Sequence, residues 1–257
     1  MADLLKAEQI EMSWRTGFAL INHYVANNQW QKAVETGKKY TKKYPSNYYI
    51  GLKYAKALCE TGQYQPCISL LSRMQVLPNE GSYAGRAVYR EANLYRAMEQ
   101  LSHKNYKQVV KSVETSKEWP ENLGVGKPYD NMIDNRLEDY LEAKAAAGQG
   151  DSRKTSALLA AVADYTISRS HFESGNLLSA LALRESGKVQ EADHMVAAWS
   201  TDFPENRVVQ WCTAIYHKEY DKAIECLKSR KEQIDSTPWE NSFYDSNFDL
   251  LVRLFGL

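Results

Sequence analysis

The chain has 257 residues, 44% of them hydrophobic and 25% charged, ample material for a continuous core. Its 32 basic residues are matched by 32 acidic ones, which speaks against a broad phosphate-binding surface, because nucleic-acid affinity rests on neutralising many phosphates. The longest small-apolar stretch, Ala157 to Ala163, falls far short of the roughly 20 residues that span a bilayer.

Met1 to Trp14 carry Asp3, Glu8 and Glu11 and lack the apolar run of a signal peptide, so a cytoplasmic location is expected. Helix is the expected conformation throughout, and strand signals are absent. The first helix, over about Ala7 to Ala26, places Ile10, Trp14, Phe18, Ile21 and Val25 at three-to-four spacing. A second follows from Gln31 to Lys43. The run Lys38-Lys39-Tyr40-Thr41-Lys42-Lys43 at its end reads as a solvated face whose cations favour the helix dipole. Later pairs fall near 47–60 and 64–75, 82–102 and 106–118, 132–147 and 151–167, 173–186 and 189–201, and 205–217 and 220–234. A last helix over Phe243 to Phe255, with Phe248, Leu251, Leu254 and Phe255 near one side, caps the open end of the stack.

One phrase recurs along these elements. Asn28-Gln29-Trp30-Gln31-Lys32-Ala33 and Gly62-Gln63-Tyr64-Gln65-Pro66-Cys67 repeat with a period of 34 residues, that of a helix-turn-helix repeat. A turn-forming residue ends the first helix, an aromatic two places on wedges between helices, and a small residue three places further lets the backbones approach. The phrase returns with drifting spacing at Tyr106 leading to Val109, Ser152 to Thr155, Val189 to Ala192 and Tyr220 to Ala223. Pro45, Pro78, Pro120 and Pro204 close most units, while the sixth runs to Pro238. One domain over 1–257 is expected, with units near 7–45, 46–80, 82–120, 132–168, 173–204 and 205–238 and a cap at 243–257.

In these residues the chain resembles the tetratricopeptide repeat family. Leu20, Tyr24, Ala33 and Pro45 fall at that family's places in the first unit, with Gly37 where its second-helix Phe belongs. Gly62, Tyr64 and Leu71 match in the second, and later units are degenerate. The resemblance implies an all-α, right-handed solenoid of about six helix pairs plus a C-terminal capping helix. It also implies recognition of a protein or peptide segment on the concave face lined by the first helix of each pair. Transferred through the motif, that face presents Phe18, Asn22, Tyr49, Lys53, Lys56, Glu91, Tyr95, Tyr140 and Lys144, and Tyr49, Tyr95 and Tyr140 are the expected anchors. The family's clamp for a terminal carboxylate is not reproduced: only Asn22 matches, and Phe18, Lys53, Glu91 and Tyr95 occupy its other places. The alternative is a structural role as a rigid spacer or oligomerisation arm, including a homodimer. RNA reading would need regular repeats and a basic groove, which this chain lacks.

Residues 119–131 interrupt the helical pattern for longer than an ordinary connection. Gly124-Val125-Gly126-Lys127 imitates a phosphate loop, but Glu121 stands where the first glycine belongs, Pro128 replaces the Ser/Thr, and no strand precedes it. The segment, with Arg136 to Tyr140, is similar to part of the helical-repeat portion of large bacterial proteins that carry a β-rich, carbohydrate-associated domain. Trp119, Leu123, Val125 and Tyr129 are too apolar for a free linker. The loop should be ordered, packed across the groove or against the fourth unit, with Asn122, Lys127 and Tyr129 available to a partner and Lys127 facing solvent.

Catalytic constellations are lacking in the pattern. His23, His103, His171, His194 and His217 are scattered, no Gly-x-Ser-x-Gly elbow occurs, and Glu138 and Asp139 diverge on their helix. Cys59, Cys67, Cys212 and Cys226 lack the Cys-x-x-Cys spacing of a zinc or redox site and read as buried reduced thiols. A non-enzymatic binding module without metal or cofactor is expected.

Overall fold

The computed structural model describes residues 1–78, 83–167, 172–236 and 247–256, and all regular structure among them is helical. Fourteen α-helices occur among the described residues: α1 Ala2–Ile10, α2 Trp14–Ala26, α3 Trp30–Lys43, α4 Tyr48–Glu60, α5 Tyr64–Leu71, α6 Ala84–Ser102, α7 Tyr106–Ser116, α8 Arg136–Gly148, α9 Ser152–Ile167, α10 Asn176–Glu185, α11 Val189–Asp202, α12 Arg207–Tyr216, α13 Tyr220–Ser236 and α14 Phe248–Leu254. Expected Pro238 and Phe243 lie outside the described residues. The chain groups into two compact units, Met1–Arg96 with Glu114–Ile133, and Ala97–Val113 with Asp134–Leu257.

The recurring phrase becomes a recurring turn. Asn28, Gly62, Lys104, Gly150, Gly187 and Lys218 all adopt left-handed backbone, with φ between 54° and 83°. Each stands two residues before a helix, so Trp30, Tyr64, Tyr106, Ser152, Val189 and Tyr220 are all first helical residues. The residue after each left-handed one donates its N–H five residues back, from Gln29 to Tyr24 O (2.8 Å) through to Glu219 to Ala214 O (2.8 Å). The left-handed residue itself donates three back, as in Asn28 to Val25 O at 3.0 Å. These two bonds satisfy carbonyls that a helix end leaves orphaned, and they reverse the chain in a fixed geometry. The small slot behaves as the turn requires: Ala33, Cys67, Val109, Ala192 and Ala223 are buried. Thr155 is half-buried and returns its hydroxyl to Asp151 O at 2.7 Å.

Two sequence expectations need correction. The single helix over Ala7 to Ala26 is broken at residues 11–13, where Ser13 caps α2 by accepting from Thr16 N at 3.2 Å. Ile10, expected on the apolar face, is 87% exposed. The helix expected over 64–75 stops at Leu71, because Asn122 takes the carbonyls of Leu71 and Met74 with its side-chain amide. Gly37, at the family's Phe place, has its own reason. A Cβ there would lie 2.6 Å from a ring carbon of Tyr54, so the aromatic wedge arrives from α4 and α3 leaves room for it.

Within the first unit, Leu20, Ile21, Val34, Tyr40, Ile50, Leu58 and Leu71 are buried, each large apolar side chain contributing roughly 1.5–3 kcal/mol of transfer free energy. In the second, α14 lays Phe248 and Phe255 edge-on against Trp211 of α12, at ring separations of 4.9 and 6.1 Å. The second unit also holds a buried cation. Arg136 donates to Thr166 Oγ1 (2.7 Å), Asn176 Oδ1 (2.6 Å), Glu173 Oε2 (2.7 Å) and both oxygens of Asp134 (3.0 and 2.8 Å). Burial works against its charge, but Asp134 and Glu173 outweigh it and hold its pKa above the ordinary arginine value.

Candidate functional site

The residues expected on a partner-binding face lie on the first helices of the pairs, and the structure sorts them into closed and open rungs. In one closed rung Lys56 of α4 reaches α6, with Nζ at 2.6 and 2.7 Å from the two oxygens of Glu91 and 2.7 Å from Glu60. Tyr95, one turn on from Glu91, donates its hydroxyl to the same carboxylate at 3.0 Å. Burial pulls the Lys56 ammonium down, yet Glu91 and Glu60 outweigh it and raise its pKa. Burial, then the negative field of Glu91, pushes the Tyr95 phenol up, keeping it a neutral donor. Three expected contact residues are thus brought together, but they satisfy one another.

The second closed rung joins α8 to α10. Tyr140 donates to Glu185 Oε1 at 2.8 Å, and Lys144 meets both oxygens of Glu185 at 2.5 and 2.6 Å while its ammonium sits 4.8 Å from the Tyr140 ring centre. Burial and Glu185 raise the Tyr140 pKa. Tyr95 and Tyr140 are each 5% exposed, so the expectation of three tyrosine anchors is corrected. A ring that packs between helices and spends its hydroxyl on a neighbouring carboxylate has no contact area left to offer.

The rung between α2 and α4 is different. Trp14 stacks on Tyr49 at 6.2 Å and Tyr49 on Tyr48 at 4.3 Å. Arg15 lies over the Trp14 ring at 4.7 Å and Lys53 over Phe18 at 5.7 Å. Tyr49 is 49% exposed, Arg15 is exposed, and Trp14, Phe18, Tyr48 and Lys53 are half-buried. No carboxylate among the described residues pairs with Arg15 or Lys53. Glu8, on α1, is committed to Lys39 (2.9 Å) and Tyr40 (2.8 Å). Asn22, one turn beyond Phe18, is half-buried on the same helix. Sequence reasoning named Phe18, Tyr49 and Lys53 but missed Trp14, Arg15 and Tyr48. The available signal was two aromatic residues opening α4 one repeat after Trp14 opens α2.

The long loop docks on the end of α5 and beside the start of α6, where Leu123 lies next to Gly85. Asn122 donates to Leu71 O (2.9 Å) and Met74 O (2.7 Å) and accepts from Val76 N at 2.8 Å, while Leu123 is buried. It therefore clamps the chain leaving α5. Asn122 is consumed by this role. Lys127 faces solvent and pairs with Asp130 at 2.6 Å, and Tyr129 is 81% exposed.

Reactive chemistry is sparse among the described residues. All four cysteines are free and buried, and Cys67 donates its thiol to Ala55 O at 3.1 Å. A hydrogen bond with Cys67, then burial, pushes the Cys59 thiol up. A cavity of about 430 Å³ lies against α12 and α13, lined by Arg207, Gln210, Thr213, Glu219, Lys222 and Cys226. Burial raises the Cys226 pKa as well, which withholds the thiolate a nucleophile needs, and Lys222 pairs with Glu219 at 2.8 Å. Among the described residues no three His, Cys, Asp or Glu side chains converge to hold a metal ion, and no helix is long and apolar enough to cross a membrane. No model of a protein family matches the sequence, and no curated protein matches it either.

Proposed function

We propose that the chain is a non-enzymatic helical-repeat module of the tetratricopeptide kind, its helix pairs stacked right-handedly within each unit, and that it binds a protein or peptide segment on its first-helix face. Six turns of one geometry support the repeat reading. The binding reading rests on a single observation: between α2 and α4, Tyr49 stays exposed beside half-buried Trp14 and Tyr48, and two cations have rings but, among the described residues, no carboxylates as partners. Preformed, ring-stacked side chains lose little entropy on binding, so such a surface is suited to recognition. Affinity capture from source cells with the wild type and with the Trp14→Ala/Tyr49→Ala variant tests this. Loss of captured partners by the variant, at unchanged helical circular dichroism, is expected. Identical partner sets would favour the spacer or homodimer role instead.

A further inference from the structure

Building on the binding reading above, we infer that the α2–α4 rung recognises an internal acidic stretch of a partner polypeptide, with Arg15 and Lys53 receiving carboxylates and Trp14, Tyr48 and Tyr49 receiving the apolar side chains between them. The chain as a whole is charge-balanced, and elsewhere on the first-helix face its lysines are neutralised from within, Lys56 by Glu91 and Glu60 and Lys144 by Glu185. Arg15 and Lys53 depart from that pattern. Each is steadied by a ring, Arg15 at 4.7 Å from Trp14 and Lys53 at 5.7 Å from Phe18, and neither pairs with a carboxylate among the described residues. Glu11, four positions before Arg15, makes no ion pair with it, and Glu8 is held by Lys39 and Tyr40.

The guanidinium held over the indole spends no N–H on a carboxylate among the described residues, and its planar fork matches an incoming one in two parallel hydrogen bonds. An ammonium over a phenyl face keeps donors for a second acceptor. The two cations sit on different helices, each beside its own ring, and the family-like clamp for a terminal carboxylate is matched by Asn22 alone, which favours carboxylates of a running chain. Nucleic acid is the weaker match, because two cations neutralise too few phosphates to hold a strand at physiological salt.

The test uses the full chain, a display library of C-terminally amidated heptapeptides, and an oligothymidylate and an oligouridylate of twelve nucleotides. Recovered peptides should be enriched in Asp and Glu flanking an aromatic or proline. The best of them should bind Arg15→Gln/Lys53→Gln at least tenfold more weakly, and raising salt from 50 to 500 mM should weaken the wild type far more than the variant. Peptides without excess acidity, equal affinity for the variant, absence of any enriched sequence, or tighter binding of either oligonucleotide would overturn the inference. Neutral apolar peptides that still require Trp14 and Tyr49 would remove the acidic specificity while leaving the binding function in place.

Discussion

Lys53 and Lys56 stand three residues apart on one helix and meet opposite fates. Lys56 is clasped by Glu60 of its own helix and by Glu91 from the next first helix, whereas Lys53 rests on the Phe18 ring and pairs with no carboxylate among the described residues. Two lysines of one helix therefore serve two ends. Where a carboxylate and a tyrosine answer the lysine, as again at Tyr140, Lys144 and Glu185, the charge is spent on holding neighbouring helices together. Where only rings answer it, charge and aromatic surface stay available. Position along a helix face does not by itself mark a binding residue; what the next helix supplies at that height decides.

The sharpest way to break this comparison is to open a closed rung. Glu91→Ala removes the acceptor of both Lys56 and Tyr95, and because Lys56 keeps some contact with water the cost is expected at about 2–3 kcal/mol, below that of a fully buried pair; a denaturation midpoint equal to wild type would show the rung to be decorative. Next comes the turn that positions both kinds of rung. Ala33 is fully buried, so Ala33→Leu should overpack α2 against α3 and lower stability by about 1–3 kcal/mol in urea unfolding.

Glu185→Ala should cost about 1 kcal/mol, since Lys144 and Glu185 are each about a third exposed and only the Tyr140 hydroxyl is left without its acceptor in a buried place. Acid offers a smaller effect at α1. Burial works to raise the Glu8 pKa, but hydrogen bonds from Lys39 and Tyr40 outweigh it and hold it below the ordinary 4.5. Its folded value being the lower one, the stabilisation is complete above that ordinary value and is lost as pH falls through the folded value. Protection of the α1 amides, measured relative to their intrinsic exchange rate, should therefore fall as pH drops below the ordinary glutamate value, and Glu8→Gln should show the reduced protection already at neutral pH. The smallest change is predicted for the open rung: Lys53→Ala should stay within about 0.5 kcal/mol of wild type by thermal melting. A larger loss would mean that Lys53 is structural and the contrast with Lys56 false.

The turns were legible in the sequence because left-handed backbone is demanding. Gly62, Gly150, Gly187 and Asn28 announce it, and the buried small residue five places after Asn28, Gly62 and Gly187 agrees with the phase. Lys104 and Lys218 occupy the same conformation with no such announcement, and only the repeat spacing located them. The candidate site was half legible. Phe18, Tyr49 and Lys53 could be read from the helix face, but that Tyr95 and Tyr140 would be consumed could not, because it depends on carboxylates 4 and 45 residues away. The 35-residue separation of Lys56 and Glu91, one repeat apart with opposite charge, was the readable sign. The break before α2 was also readable, in Ser13 as a cap followed by Trp14.

Most contacts that define each helix pair lie across a turn of three residues or between successive pairs, so they form with little loop-closure entropy and favour rapid, hairpin-by-hairpin folding. Asn122 is an exception. Its amide bonds Leu71 and Met74 from 51 and 48 residues further along the chain. During synthesis the end of α5 must therefore wait, at roughly 5–20 residues per second, for several seconds before its carbonyls are met. An Asn122→Ala chain would keep the backbone bond to Val76 and the buried Leu123 but leave the Leu71 and Met74 carbonyls without their side-chain partner even after synthesis is complete.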